Sequence, residues 1–148
     1  MIIISVIKSK RNVSVVEYIH TAIDLLKYTM SKCINFPKRY NLYVNKELVD
    51  LARSVYNNVI CANNIYPKNS FDAYKRRNYL ISAKGNLKCL IGQLELAASI
   101  MKIPENSFIH WMELIDKELK LIEGTIASDD KRFDFEPLSE EMLKTMPF

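Results

Sequence analysis

The feature that most limits what this chain can fold into is the apolar spacing between residues 80 and 101. Leu80, Ala83, Leu87, Leu90, Leu94, Ala97 and Met101 alternate at intervals of three and four. In an α-helix those positions share one side and present a continuous seam to a neighbour. A strand, with its side-chain period of two, would scatter them over both faces. A helix from about Ser70 to Met101, at about 1.5 Å per residue, would reach roughly 45–48 Å.

Three further segments carry the same signal. Ser14-Val15-Val16-Glu17 fits a capping box, in which the Ser oxygen and the Glu side chain satisfy free amides reciprocally. Val16, Ile19, Ile23, Leu26, Met30 and Cys33 then form the inward stripe of a first helix. It should stop near Asn35-Phe36-Pro37, because proline disfavours helix at the residue before it. A second helix is expected from about Asn41 to Ile65, with Val44, Leu48, Leu51 (with Ala52), Val55, Val59 and Ala62 inward. Ile103-Pro104 ends the third helix, and a fourth should run from Glu105 to Ser128 on Phe108, Trp111, Met112, Ile115, Leu119, Ile122 and Ile126. The short loop at Pro67-Lys68-Asn69 favours antiparallel neighbours. The expected fold is an all-α, antiparallel up-down four-helix bundle over residues 14–128. A short N-terminal extension (1–13) and a C-terminal tail (129–148) flank it. The β-branched start, Met1 to Ile7, is suited to strand addition on a partner or to fraying. The tail offers one helical turn near Pro137 to Met142, with Ser139 as its cap, and is expected to pack loosely.

Searches for catalytic chemistry return little. Only Gly85, Gly92 and Gly124 are glycines, all within expected helices, so neither a phosphate-cradling loop nor a dinucleotide fingerprint is present. Glu17-x-x-His20 has the spacing of half a di-iron site. The other histidine, His110, is preceded at that spacing by Ser107 and should lie at the opposite end of the bundle. Nothing places a base beside a nucleophile. The reading is therefore a non-enzyme with no metal, no cofactor and no small-molecule substrate. Cys33, Cys61 and Cys89 are too scattered for a disulfide framework or a zinc site, and read as buried small apolar residues. No apolar run is long enough to span a membrane, and the start lacks the marks of a signal peptide, so a cytoplasmic location is expected.

Charge is distributed unevenly. Residues 1–103 hold sixteen Lys and Arg against six Asp and Glu, whereas residues 104–148 hold five against eleven. A basic body with an acidic last third suits a polyanion-binding surface, or an acidic face that docks on a basic one. Tyr74-Lys75-Arg76-Arg77-Asn78-Tyr79 interleaves cations with tyrosines, and Arg77, Lys84 and Lys88 continue one stripe beside the core seam. Lys38-Arg39-Tyr40 precedes helix two, and Lys8, Lys10 and Arg11 precede helix one. Cations release counterions from a phosphate backbone and tyrosines stack on unpaired bases, so these residues are candidates for RNA or DNA contact. Solvated lysines beside a core explain the same pattern. Gly85 and Gly92, seven apart on one face, suggest that another backbone approaches there, from within the bundle or from another subunit.

Two stretches resemble a known family of small four-helix bundles. One is Phe36-Pro37-Lys38-Arg39-Tyr40-Asn41-Leu42, with the helix ending at Ile60-Cys61-Ala62-Asn63. The other is Tyr79-Leu80-Ile81-Ser82-Ala83-Lys84-Gly85-Asn86-Leu87, continuing to Gln93-Leu94-Glu95-Leu96-Ala97. The family comprises proteins encoded by intervening sequences of large-subunit ribosomal RNA genes and the Avd-like accessory variability determinants of diversity-generating retroelements. The resemblance covers residues 14–127. It implies a non-enzymatic, basic homo-oligomer, a pentamer in the retroelement accessory protein, that binds nucleic acid and a reverse transcriptase. Carried over by position, Arg76, Arg77 and Lys84 would contact nucleic acid. The other reading is an oligomeric protein-interaction module without nucleic-acid binding, in which the acidic fourth helix and tail of one subunit dock on the basic third helix of another.

Overall fold

The computed structural model of the chain describes residues 13–137 together with Glu140 and Lys144, with side chains from Glu17 onward. The expected strand-forming start, the cations Lys8, Lys10 and Arg11, and most of the turn after Pro137 lie outside the described residues. Among the described residues the structure is all-helical, with four long helices and no strand. They are α1 (Val13–Cys33), α2 (Lys46–Asn63), α3 (Ser70–Ile100) and α4 (Glu105–Arg132). A 3-10 turn (Lys38–Tyr40) and a π-helical turn (Asn41–Asn45) join α1 to α2. No described helix is long and apolar enough to cross a membrane.

Local chemistry sets the helix ends. The Asn69 side chain caps α3 by accepting the Asp72 backbone N–H at 2.9 Å, satisfying one of the amides a first turn leaves unpaired. Met101 is extended, and Pro104 caps the start of α4 just before Glu105, where a residue without a backbone N–H costs the helix no hydrogen bond. Ser14, expected as a cap, lies inside α1. The expected start of helix two at Asn41 differs too. Its first turn is π-helical, with Asn45 Nδ2 donating to Asn41 Oδ1 at 2.8 Å.

The α3 seam is buried as the heptad requires, from Leu80 through Ala97 to Met101. The α2 stripe is buried at Val44, Leu48, Ala52, Val55, Val59 and Ala62. Helix α1 is rotated from its expected face. Tyr18, Ala22, Leu25 and Thr29 are buried with Ile19 and Cys33, while Met30 is exposed. The rotation has a physical cause. Tyr18 Oη donates to Asn63 Oδ1, and Thr29 Oγ1 accepts the Trp111 indole N–H at 3.0 Å while donating to the Leu25 carbonyl at 2.8 Å. These polar groups are satisfied inside, and alanine lets backbones approach closely. The Tyr28 ring and the Trp111 indole meet edge to face, 5.6 Å between centroids.

Side-chain pairs fix the register of α4. Arg76 meets Asp129 and Lys84 meets Glu123, so numbering falls on α4 as it rises on α3. Likewise Tyr28 Oη donates to the Ser107 carbonyl and Lys117 lies 3.5 Å from Glu17. His110 packs on the Tyr28 ring, eight residues along α1 from His20. Helix α4 continues past Ser128 to Arg132, and the segment after it packs on α3. Tyr74 Oη donates to the Phe135 carbonyl, and the two rings meet edge to face. The loose packing expected of the tail therefore does not describe residues 129–135.

Candidate nucleic-acid interface

The helix-three cations are mostly engaged by α4. Arg76, expected on a phosphate-binding surface, is instead buried at 8% exposure. Its Nε and Nη2 donate to the Asp129 carboxylate, and its Nη1 donates to the carbonyls of Ala62 and Ile65. That is a correction of position and role: the guanidinium ties the ends of α2, α3 and α4 together. In sequence Arg76 adjoins the exposed-looking cations Lys75 and Arg77, but on the helix it falls on the Leu80–Leu87 side.

Arg77 is half-buried, pairs with Asp130 and stacks on the Phe135 ring at 3.6 Å. Lys84 lies 3.5 Å from Glu123. Three acids of α4, Glu123, Asp129 and Asp130, are thus laid along the basic helix α3. Tyr74 is occupied by the Phe135 carbonyl, and Tyr79 packs against the core. Lys75 is half-buried, and Lys88 is exposed.

The remaining expected cations lie at the other end of the molecule, where α1 turns into α2. Lys38 and Arg39 are exposed, and among the described residues no carboxylate pairs with either. Arg39 lies 5.0 Å above the Tyr40 ring, and Tyr40 Oη donates to the Ile100 carbonyl, fastening this corner to the end of α3. The π-helical turn leaves the Tyr43 ring 78% exposed, with Leu42 beside it at 71%. Sequence reasoning missed Tyr43: a tyrosine inside an expected helix gave no sign of facing solvent.

Behind this turn lies a pocket of about 480 Å³ between the end of α1 and the start of α2. Met30, Cys33, Ile34 and Val49 make its walls, with Asn41 and Asn45 beside them. Burial pushes the Cys33 thiol up to about 12, so it stays neutral. The only sequence signal for the amide pair was its spacing of four, which places both on one helix face.

The two glycines expected at a subunit interface stand apart. A Cβ at Gly85 or Gly92 would meet nothing within 4 Å, so no backbone of the bundle approaches either one. They lie on the outer face of α3, opposite the core seam, in line with exposed Ile81, Leu96 and Ile100. Cys89 is exposed on the same face, and Cys61 is exposed on α2. The expectation that all three cysteines are buried holds only for Cys33. Cys61 and Cys89 each adjoin a core position without sharing its face.

One further group belongs to no expected site. Glu118 occupies a core position of α4 at 0% exposure, and neither carboxylate oxygen has a hydrogen-bond partner among the described residues. Desolvation raises its pKa to about 9, so it is protonated at neutral pH.

Comparison of the chain with protein-family models, with curated proteins and with solved structures returns no match.

Proposed function

We propose that this protein is a non-catalytic nucleic-acid-binding accessory factor that engages RNA or DNA through its α1–α2 corner. The observation that supports this reading is the pair Lys38 and Arg39, exposed and with no carboxylate partner among the described residues, in the same α1–α2 connection as the exposed Tyr43. Such a pair offers two phosphate contacts and an aromatic platform for a base. Helix α3 is the weaker surface, because Asp129, Asp130 and Glu123 hold its central cations. The association with a reverse transcriptase, the pentameric state and the up-down arrangement of the helices belong to the same proposal. The first two rest on the resemblance over residues 14–127. The third rests on the falling register of α4 against α1 and α3.

Anisotropy titrations of a single-stranded RNA and DNA at rising salt test the reading. Lys38→Glu with Arg39→Glu should lower the slope of log affinity against log salt by about 1.4, at about 0.7 for each single-strand phosphate no longer neutralised. Lys84→Glu should leave that slope nearly unchanged. An absence of binding at low salt would overturn the proposal.

A second reading, a protein-interaction module, is favoured by the outer face of α3. Ile81, Leu96 and Ile100 are each 44–50% exposed there, with Gly85 and Gly92 between them. Association through this face would be apolar and would survive salt. An oligomer that persists in high salt, without nucleic-acid affinity, would select this reading.

A further inference from the structure

The pocket behind the π-helical turn has the chemistry of a nucleobase. A base has two flat apolar faces, a polar edge with donors and acceptors, and a phosphate on either side. The pocket meets each requirement in place. Met30, Cys33, Ile34 and Val49 supply apolar and sulfur-bearing walls, and about 480 Å³ is room for one base with its sugar. Asn41 and Asn45 supply an amide edge. Asn45 is 5% exposed, its Nδ2 is held by Asn41 Oδ1, and its Oδ1 has no hydrogen-bond partner among the described residues. That oxygen is itself covered, so a donor reaches it only if the π-helical turn yields, and the exposed Asn41 amide is the edge a base meets first. Lys38 and Lys46 complete the lining. Asp50 neutralises Lys46, and Lys38 is left to take a phosphate.

We infer that this pocket takes a single unpaired nucleobase splayed out of an RNA or DNA strand, read by the Asn41–Asn45 edge while Lys38 and Arg39 hold the flanking phosphates. The inference rests on the nucleic-acid reading above and narrows its ligand to single-stranded or looped segments, since a base inside a duplex cannot enter. A π-helical turn at such a place is consistent with its role: π-turns concentrate at functional sites, and this one sets both amides on the pocket side.

The test uses the full chain and two strands of equal length and charge, one with all its bases and one abasic throughout. The base-bearing strand is expected to bind about ten-fold more tightly. Val49→Phe, which fills the pocket, should cut that difference to what stacking on Tyr43 alone supplies, and adding Tyr43→Ala should remove the remainder, while the salt-dependent part stays intact. Asn41→Ala, which removes the exposed amide and with it the acceptor of Asn45 Nδ2, should reduce it, with circular dichroism of the same sample showing the chain still helical. Equal affinity for the two strands, with binding still salt-sensitive, would overturn the pocket inference and leave the cationic corner standing. Failure of both strands to bind would overturn both.

Discussion

Arg76 Nε and Asp129 Oδ2 lie 2.6 Å apart, 53 residues distant in sequence, with 9% and 3% of their side chains exposed. A buried pair of this kind is strongly destabilised when one partner alone is removed, because the other is left charged without compensation. Arg76→Leu or Asp129→Leu should each cost about 3–5 kcal/mol in urea unfolding followed by circular dichroism. The double variant should recover much of that loss, since two apolar residues leave no orphaned charge. Additive losses in the double variant would contradict the pairing.

Glu118 predicts a pH dependence with a definite sign. The carboxyl titrates near 4.5 in the unfolded chain and near 9 in the fold. The folded state therefore holds its proton while the unfolded state gives it up. Stability from this residue is greatest below pH 4.5 and declines as pH rises toward 9, by as much as about 1.4 kcal/mol per unit. Glu118→Leu should flatten the decline and raise the melting temperature most at pH 8. An equal gain at pH 5 and pH 8 would refute the assignment.

Trp111 gives a local prediction. Its indole N–H is satisfied by Thr29 Oγ1 in a buried hydrogen bond. Thr29→Val keeps the shape and removes the acceptor, which should cost about 1–3 kcal/mol. Tryptophan fluorescence-detected melting would measure this directly, as Trp111 is the one tryptophan of the chain.

The outer face of α3 separates stability from association. With open space around both glycines, Gly85→Ala and Gly92→Ala should each stabilise the helix by about 1 kcal/mol. Gly85→Leu with Gly92→Leu should leave the fold intact and change the mass in solution if this face joins subunits. Sedimentation of the two forms at equal concentration would show it. Unchanged mass would mean that the glycines serve no interface.

The fold was legible where packing follows apolarity alone. The α3 heptad from Leu80 to Met101 and the α2 stripe from Leu48 to Ala62 declared their buried faces because the inward residues over those spans are apolar. Helix α1 did not, since Tyr18 and Thr29 look polar in sequence and are buried through partners on α2 and α4, namely Asn63 and Trp111. The same limit governed the site. Charge counting located the cations of residues 38, 39 and 75–88, but which of them remain available depends on the acids of α4. The carboxylates that hold Arg77 and Lys84 come from a different helix, so spacing along the chain cannot assign them. The pocket depended on one residue's worth of extra helix at Asn41–Asn45, and a π-turn has no composition of its own.

Cys33, a wall of the pocket at 6% exposure, has consequences for how occupancy can be followed. In the native chain a thiol reagent should modify Cys61 and Cys89 quickly and Cys33 only when the corner opens, because the slow thiol is both covered and held neutral. With Cys61 and Cys89 replaced by serine, the alkylation rate of Cys33 becomes a clock for opening at that end. A molecule lodged against the wall would slow the clock in proportion to the fraction of time it stays.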